Sequence, residues 1–360
     1  MLIFGLAWAW QGCDSGGNGS SGGGKQFGGG GSTATFLAYL DAVAGNVSVA
    51  SIPTSGTLAK VTGSPYLAGS QPVAMAITPD GKFFYAVNAG SENVNQYAIA
   101  TDGTLTQPVP PIATGVQPSA MAIDPTERFA LVTNKGASTL SVYTITATTG
   151  VLAASGSPIV LNITAPQSIA INGNFVFVAS ANAIDVLIYD STTRTFSFGT
   201  GSSIGGGSTA NIVALYTPPL TNRLYALDTV SNSLLTYTVN NTGVLTQAAA
   251  TPVGSQPAAM VPDAANKFLF VANQGNSNIS VFAVDPSTGA LTLAATPLVT
   301  TEASPNALAY DPVNNFLFVS ASGTDRILTY AVTTTNGALT LQGLPFPVTN
   351  APAAMVVANP

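Results

Sequence analysis

Five residues stand in equivalent places in this chain, each at the end of a short apolar run and just before a turn: Asp41, Asn88, Asn134, Asp228 and Asn273. All five carry side-chain oxygens. Oxygens repeated at one place in a repeating chain can form a ring of ligands for Ca²⁺ or a polyol. Two carboxylates are few for calcium, so the expected affinity is weak. The same residues can instead each close their own turn, because Asp and Asn side chains bond readily to nearby backbone groups. Further loop charges predicted on the same face are Glu92, Glu302 and Asp325, with Lys135 and Arg326 as the nearby cations. Their alternative role is solvated loop charge. Chemically, Arg326 or Lys135 could hold a carboxylate or polarise a carbonyl while Asp41 or Asp228 activates water. Asp41, Asp228 and Arg326 are therefore the candidate catalytic residues. Asn88, Asn134, Asn273 and Lys135 are the candidate ligand-binding residues.

The inventory removes other chemistries. The chain has 360 residues and no histidine, so Ser-His-Asp and Cys-His nucleophiles and His-metal sites are excluded. A single cysteine, Cys13, supports neither an internal disulfide nor a thiolate cage. No metal centre or cofactor is expected beyond weak Ca²⁺ at the oxygen ring. Only 7% of the residues are charged and the net charge is −6, which argues against nucleic acid as a partner. With 46% hydrophobic residues the chain is too apolar for disorder, and no apolar run approaches the roughly 18 residues of a membrane helix.

The elements that must position these residues follow from an internal repeat. Gln71-Pro72-Val73-Ala74-Met75-Ala76-Ile77 returns as Gln117-Pro118-Ser119-Ala120-Met121-Ala122-Ile123. Related segments begin at Pro166, Pro257, Pro305 and Pro352, and a divergent copy lies near Asn211 to Leu215. The period is about 47 residues, with four short strands and Asn/Gly or Asp/Gly turns per unit, the signature of a β-propeller. Residues 35–360 hold seven such units. The expected fold is all-β: a seven-bladed propeller of four-stranded antiparallel blades. The unit at the N-terminal side lacks its first strand, while residues 351–360 supply only that strand, so the C-terminal strand is predicted to complete the N-terminal blade. Met75, Met121, Met260 and Met355 share one position and are expected to pack between blades, not to bind a soft metal.

The Pro-x-x-Met-Ala-Ile segments, the Leu131-Val132-Thr133-Asn134 and Phe270-Val271-Ala272-Asn273 strands and the Thr288-Gly289-Ala290-Leu291 sequel resemble the YVTN-repeat, lactonase-like propellers. That family includes the propeller form of 6-phosphogluconolactonase. The resemblance implies the fold over residues 35–360 and a lactonase label. Lactonases of the family are expected to use histidine and several arginines, and a phosphorylated lactone brings about two negative charges that call for clustered cations. Here histidine is absent and the predicted face is net acidic.

At the N-terminal side, the nine-residue apolar stretch Leu2–Trp10 has the length of a signal h-region, and Gly12-Cys13 resembles a bacterial lipoprotein cleavage and acylation site. Residues 14–34 form a Gly/Ser-rich tether with a root-mean-square reach of about 25 Å. The sequence thus predicts an extracytoplasmic, lipid-anchored monomer, secreted or held at the periplasm or cell surface. Its function is expected to be binding of a small-molecule or protein ligand at the channel mouth. Lactone hydrolysis at that mouth is the alternative.

Overall fold

The protein is described by a computed structural model that covers residues 34–199, 204–205, 210–219 and 221–360. The signal segment with Cys13, and the tether apart from Ala34, lie outside the described residues. Among the described residues there is no helix; seven antiparallel sheets make up the whole. Their first strands are Met355–Ala358, Pro72–Ile77, Pro118–Ile123, Ser168–Asn172, Ile212–Tyr216, Pro257–Pro262 and Pro305–Asp311, in blades one to seven. Each touches the next, and the last touches the first, so the strands enclose a central channel. This is the predicted seven-bladed propeller.

Blade faces explain the apolar composition. In the second strand of blade two, Phe84, Tyr85, Ala86 and Val87 are all buried, although successive side chains point to opposite faces. A strand buried on both faces needs a neighbour on each side, so no blade is stable alone. The four methionines of the repeat are buried within these seams. At the seam between blades two and three, the hydroxyl of Tyr85 donates to the carbonyl of Gly150 at 2.6 Å. Gly150 has φ of +67°, and a Cβ there would stand 2.2 Å from the ring of Phe83. Gly103 against Phe36 and Gly337 against Phe268 repeat this close approach. Arg128 of blade three bonds both oxygens of buried Asp124 in the same blade, at 2.6 and 2.8 Å, and reaches across to blade four, lying over the ring of Tyr189 and donating to Asn174 at 3.0 Å.

Closure follows the predicted route. Met355–Ala358 pairs with Thr35–Asp41, with Tyr39 opposite Met355 and Phe36 opposite Ala358. The junction is latched by Asn350, whose amide donates to Asp41 at 2.9 Å, and by the N–H of Ala351, which donates to Asp325 at 2.8 Å.

The outer strand is less uniform than the repeat suggests. In blades five to seven it is continuous: Leu245–Pro252, Leu291–Thr300 and Leu339–Pro347. In blades one to four it is split into two short pieces that both pair with the third strand, such as Leu105–Thr106 and Ile112–Ala113 in blade two. Proline accounts for the split there: Pro108, Pro110 and Pro111 fall between the pieces and cannot donate to the ladder.

Candidate functional site

First strands run from one end of the channel to the other, and second strands return. The turns after the second strands therefore share an end with the loops that lead into the first strands, and this end is the channel mouth. Asp41, Asn88, Asn134, Asp228 and Asn273 all sit here, at the ends of second strands.

The three asparagines are fully buried and bonded at both ends of the amide. Oδ1 of Asn88, Asn134 and Asn273 accepts from the N–H of Gly69, Gly115 and Gly254 at 3.0, 2.9 and 2.9 Å. Their Nδ2 groups donate across the turn, for example from Asn134 to Thr139 and Ser141 at 3.0 and 2.9 Å. Each asparagine thus ties its hairpin to the loop that feeds the first strand. The glycine is needed because a Cβ on Gly115 would stand 2.7 Å from the Asn134 amide. That partner, 19 residues upstream, was not foreseen from the sequence.

The two aspartates are engaged as well. Asp41 accepts from the N–H groups of Val43 and Ala44 at 3.1 and 2.8 Å, besides Asn350. Asp228 accepts from the N–H of Asn211 at 2.8 Å, from Val230 at 3.0 Å and from the Ser231 hydroxyl at 2.6 Å. Burial opposes the charge on Asp228, but these donors outweigh it and hold the carboxyl below its ordinary pKa. Arg326 pairs with Glu302 at 3.1 Å. Lys135 differs: it is half-buried, burial lowers its ammonium pKa, and it has no ion pair or side-chain hydrogen bond among the described residues. No hydrogen bond or ion pair joins any two of the candidate residues. Asp41 and Asp228, in blades one and five, stand across the channel from one another. Nor do three carboxylates gather anywhere among the described residues.

A second ring escaped the sequence reading. Gln71, Gln117, Ala165, Gln256 and Ser304 each precede a first strand and each has positive φ, from 48° to 58°. In all of these but Ala165, the carbonyl accepts from the first residue after the second strand, as in Lys135 N–H to Gln117 at 2.9 Å and Gln274 N–H to Gln256 at 3.0 Å. The bonds hold these left-handed residues in place. Gln71, Gln117 and Gln256 are exposed, giving the mouth a lining of neutral amides beside the Lys135 ammonium. The Gln-Pro pairs are visible as repeat marks, but glutamine carries no signal for positive φ, which usually selects Gly or Asn.

The site is thus the polar mouth of a closed seven-bladed propeller. A family model for the lactonase, seven-bladed β-propeller matches residues 43–171 and 171–306. The chain belongs to that family. No curated protein matches it by sequence. Among solved structures, it is similar to a candidate 6-phosphogluconolactonase of Bacteroides uniformis, with 18% identity, a TM-score of 0.77 and 90% of this chain and 99% of that chain covered. It is similar as well to the periplasmic gluconolactonase PpgL of Pseudomonas aeruginosa, at 17% identity, TM-score 0.75 and coverage of 91% and 99%. A Lactobacillus plantarum protein shares 20% identity at a TM-score of 0.73, with 90% and 98% covered. At these identities the likeness concerns the fold.

Proposed function

We propose that this propeller is an extracytoplasmic, lipid-anchored binding protein that takes a polar small molecule or a protein segment at its channel mouth. One observation carries the reading: the carboxylates that would have to activate water, Asp41 and Asp228, are buried and already bonded to backbone N–H groups. A general base needs a free lone pair aimed at the nucleophile. Gln71, Gln117 and Gln256, exposed at this mouth, are neutral donors and acceptors suited to hydroxyl and peptide groups. Lactone hydrolysis is the second reading, favoured by the unpaired Lys135 ammonium, which could polarise a lactone carbonyl.

A panel of sugar and aromatic lactones incubated with the purified protein separates the two by acid release. The binding reading expects the uncatalysed rate throughout, with calorimetric binding of polyols or peptides that weakens in a Gln117→Ala variant. Turnover that is lost on Asp228→Asn, in a variant that still melts cooperatively, would replace it with the hydrolase.

A further inference from the structure

Lys135 is unlike the other lysines among the described residues. Lys60, Lys82 and Lys267 are exposed, and Lys82 pairs with Asp80 at 3.3 Å. Lys135 is half-buried in the channel-mouth turn of blade three, and that turn is fixed at two points: the Lys135 N–H donates to Gln117 at 2.9 Å and the Gly136 N–H to Val116 at 3.0 Å. The equivalent residues of blades one, two, five, six and seven are Ala42, Ala89, Thr229, Gln274 and Ser322. One amine thus stands among small or neutral side chains.

No carboxylate among the described residues anchors that amine. The charges of blade three's first turn, Asp124, Glu127 and Arg128, lie at the opposite end of the channel. In the adjoining blades Glu92 is exposed, while Asp185 is buried and accepts from the N–H of Asn162 at 2.7 Å. Neither forms an ion pair with Lys135, and burial alone lowers its pKa. An ammonium drawn partly out of water without a counter-charge gives up its proton more readily and leaves a free lone pair. Such a lone pair, held on a fixed turn beside a polar opening, is a nucleophile for a carbonyl carbon.

We propose that Lys135 captures an aldehyde at the channel mouth as a reversible imine, the ligand being a neutral hydroxyaldehyde or the open-chain form of a reducing sugar. The amine lone pair adds to the carbonyl carbon, both amine protons pass to the carbonyl oxygen, and water leaves as the C=N bond forms. Nothing is oxidised or reduced. The exposed amides of Gln71 and Gln117 suit the hydroxyls of such a ligand. A phosphorylated aldehyde is disfavoured, because phosphate calls for clustered cations and Arg326, the other cation at this end, is paired with Glu302. The capture rests on the mouth being a small-molecule site.

Glyceraldehyde with cyanoborohydride, which reduces imines and spares aldehydes, marks each reactive amine for peptide mapping. At pH 7 Lys135 is expected to be labelled about five times faster than Lys60 and Lys267, and the ratio should fall towards one near pH about 10.4, where exposed lysines are half neutral too. Lys135→Arg keeps the charge and cannot form the imine; it should melt as the parent does and lose the fast labelling. Equal labelling of the three lysines at pH 7, or fast labelling retained in Lys135→Arg, would overturn the capture. Glucitol, a polyol without a carbonyl, tells this failure from failure of the mouth as a binding site. Calorimetric binding of glucitol with uniform labelling removes the imine alone. Absence of binding, with labelling of Lys135 not slowed by glucitol, removes the small-molecule site and the capture with it.

Discussion

Replacing Gly150 with alanine tests whether the blades are held by the close approach of turn to ring. Gly150 has φ of +67°, and an added Cβ would meet the Phe83 ring at 2.2 Å. Two costs follow. A left-handed backbone costs a non-glycine residue about 1–2 kcal/mol, offset by about 0.4–1 kcal/mol because alanine restricts the unfolded chain. Forcing a methyl into a filled seam adds about 1–3 kcal/mol. The carbonyl of Gly150 also accepts the buried Tyr85 hydroxyl, so the turn cannot retreat without losing that bond. The expected loss is about 2–4 kcal/mol. Gly156 is the control: its φ is +75°, but a Cβ there meets nothing within 4 Å. Gly156→Ala should therefore lose only the backbone cost, about 1 kcal/mol or less. Urea unfolding of the two variants, with unchanged denaturant slopes, isolates the seam as their difference. Adding Phe83→Leu to Gly150→Ala should recover part of the loss, because the two sites touch. Losses in Gly150→Ala and Gly156→Ala that agree within about 0.5 kcal/mol would refute the reasoning, since the backbone cost would then account for both.

Two further outcomes are expected. Removing residues 351–360 strips blade one of its first strand and frees Asp41 and Asp325 from Asn350 and Ala351, so the single cooperative urea transition should be lost; an unchanged transition would contradict ring closure. Asp124 and Asp263 should give opposite pH profiles. Burial opposes the charge on Asp124, but the hydrogen bonds of Arg128 and Thr126 outweigh it and lower its pKa from 3.8. Its contribution is full above about pH 4 and is lost as pH falls through the lower folded value. At Asp263 burial outweighs the backbone donors and raises the pKa above 3.8, so its contribution is present below about pH 4 and is lost as pH rises through the raised value. Asp124→Asn should thus be less stable than the parent at neutral pH, with the gap closing in acid. Asp263→Asn should be more stable at neutral pH, with the gain vanishing in acid. Urea midpoints across this range decide it, and parallel profiles would contradict the assignment.

The ring of blades was legible because it rests on what a repeat displays: Pro72, Pro118 and their counterparts mark every first strand but that of blade five, and turn glycines recur from blade to blade. Closure was legible for the same reason, since residues 351–355 repeat the first-strand pattern that the unit beginning at Thr35 lacks. The outer strands were not, because their register depends on where prolines interrupt a ladder whose outer edge is free. At the mouth, residue type revealed that Asn88, Asn134 and Asn273 carry oxygens but not where those oxygens are spent. Their partners Gly69, Gly115 and Gly254 lie in another loop, and a glycine N–H leaves no mark in a side-chain pattern. Lys135 shows the converse: its ammonium's lack of a partner among the described residues is a property of the assembled surface.

Because the sheet containing Thr35–Asp41 is finished by Met355–Ala358, the earliest part of the propeller to be synthesised is the last to be completed. A ribosome releases the chain from its N-terminal side, so blades two to seven can assemble while blade one still waits with one flank of Leu37 and Tyr39 unpaired. During that interval the exposed flank is open to any extended peptide in the cell, including the equivalent strand of another nascent copy. The burden on chaperones during synthesis should therefore fall on Thr35–Asp41, and it should end only when Met355–Ala358 emerges.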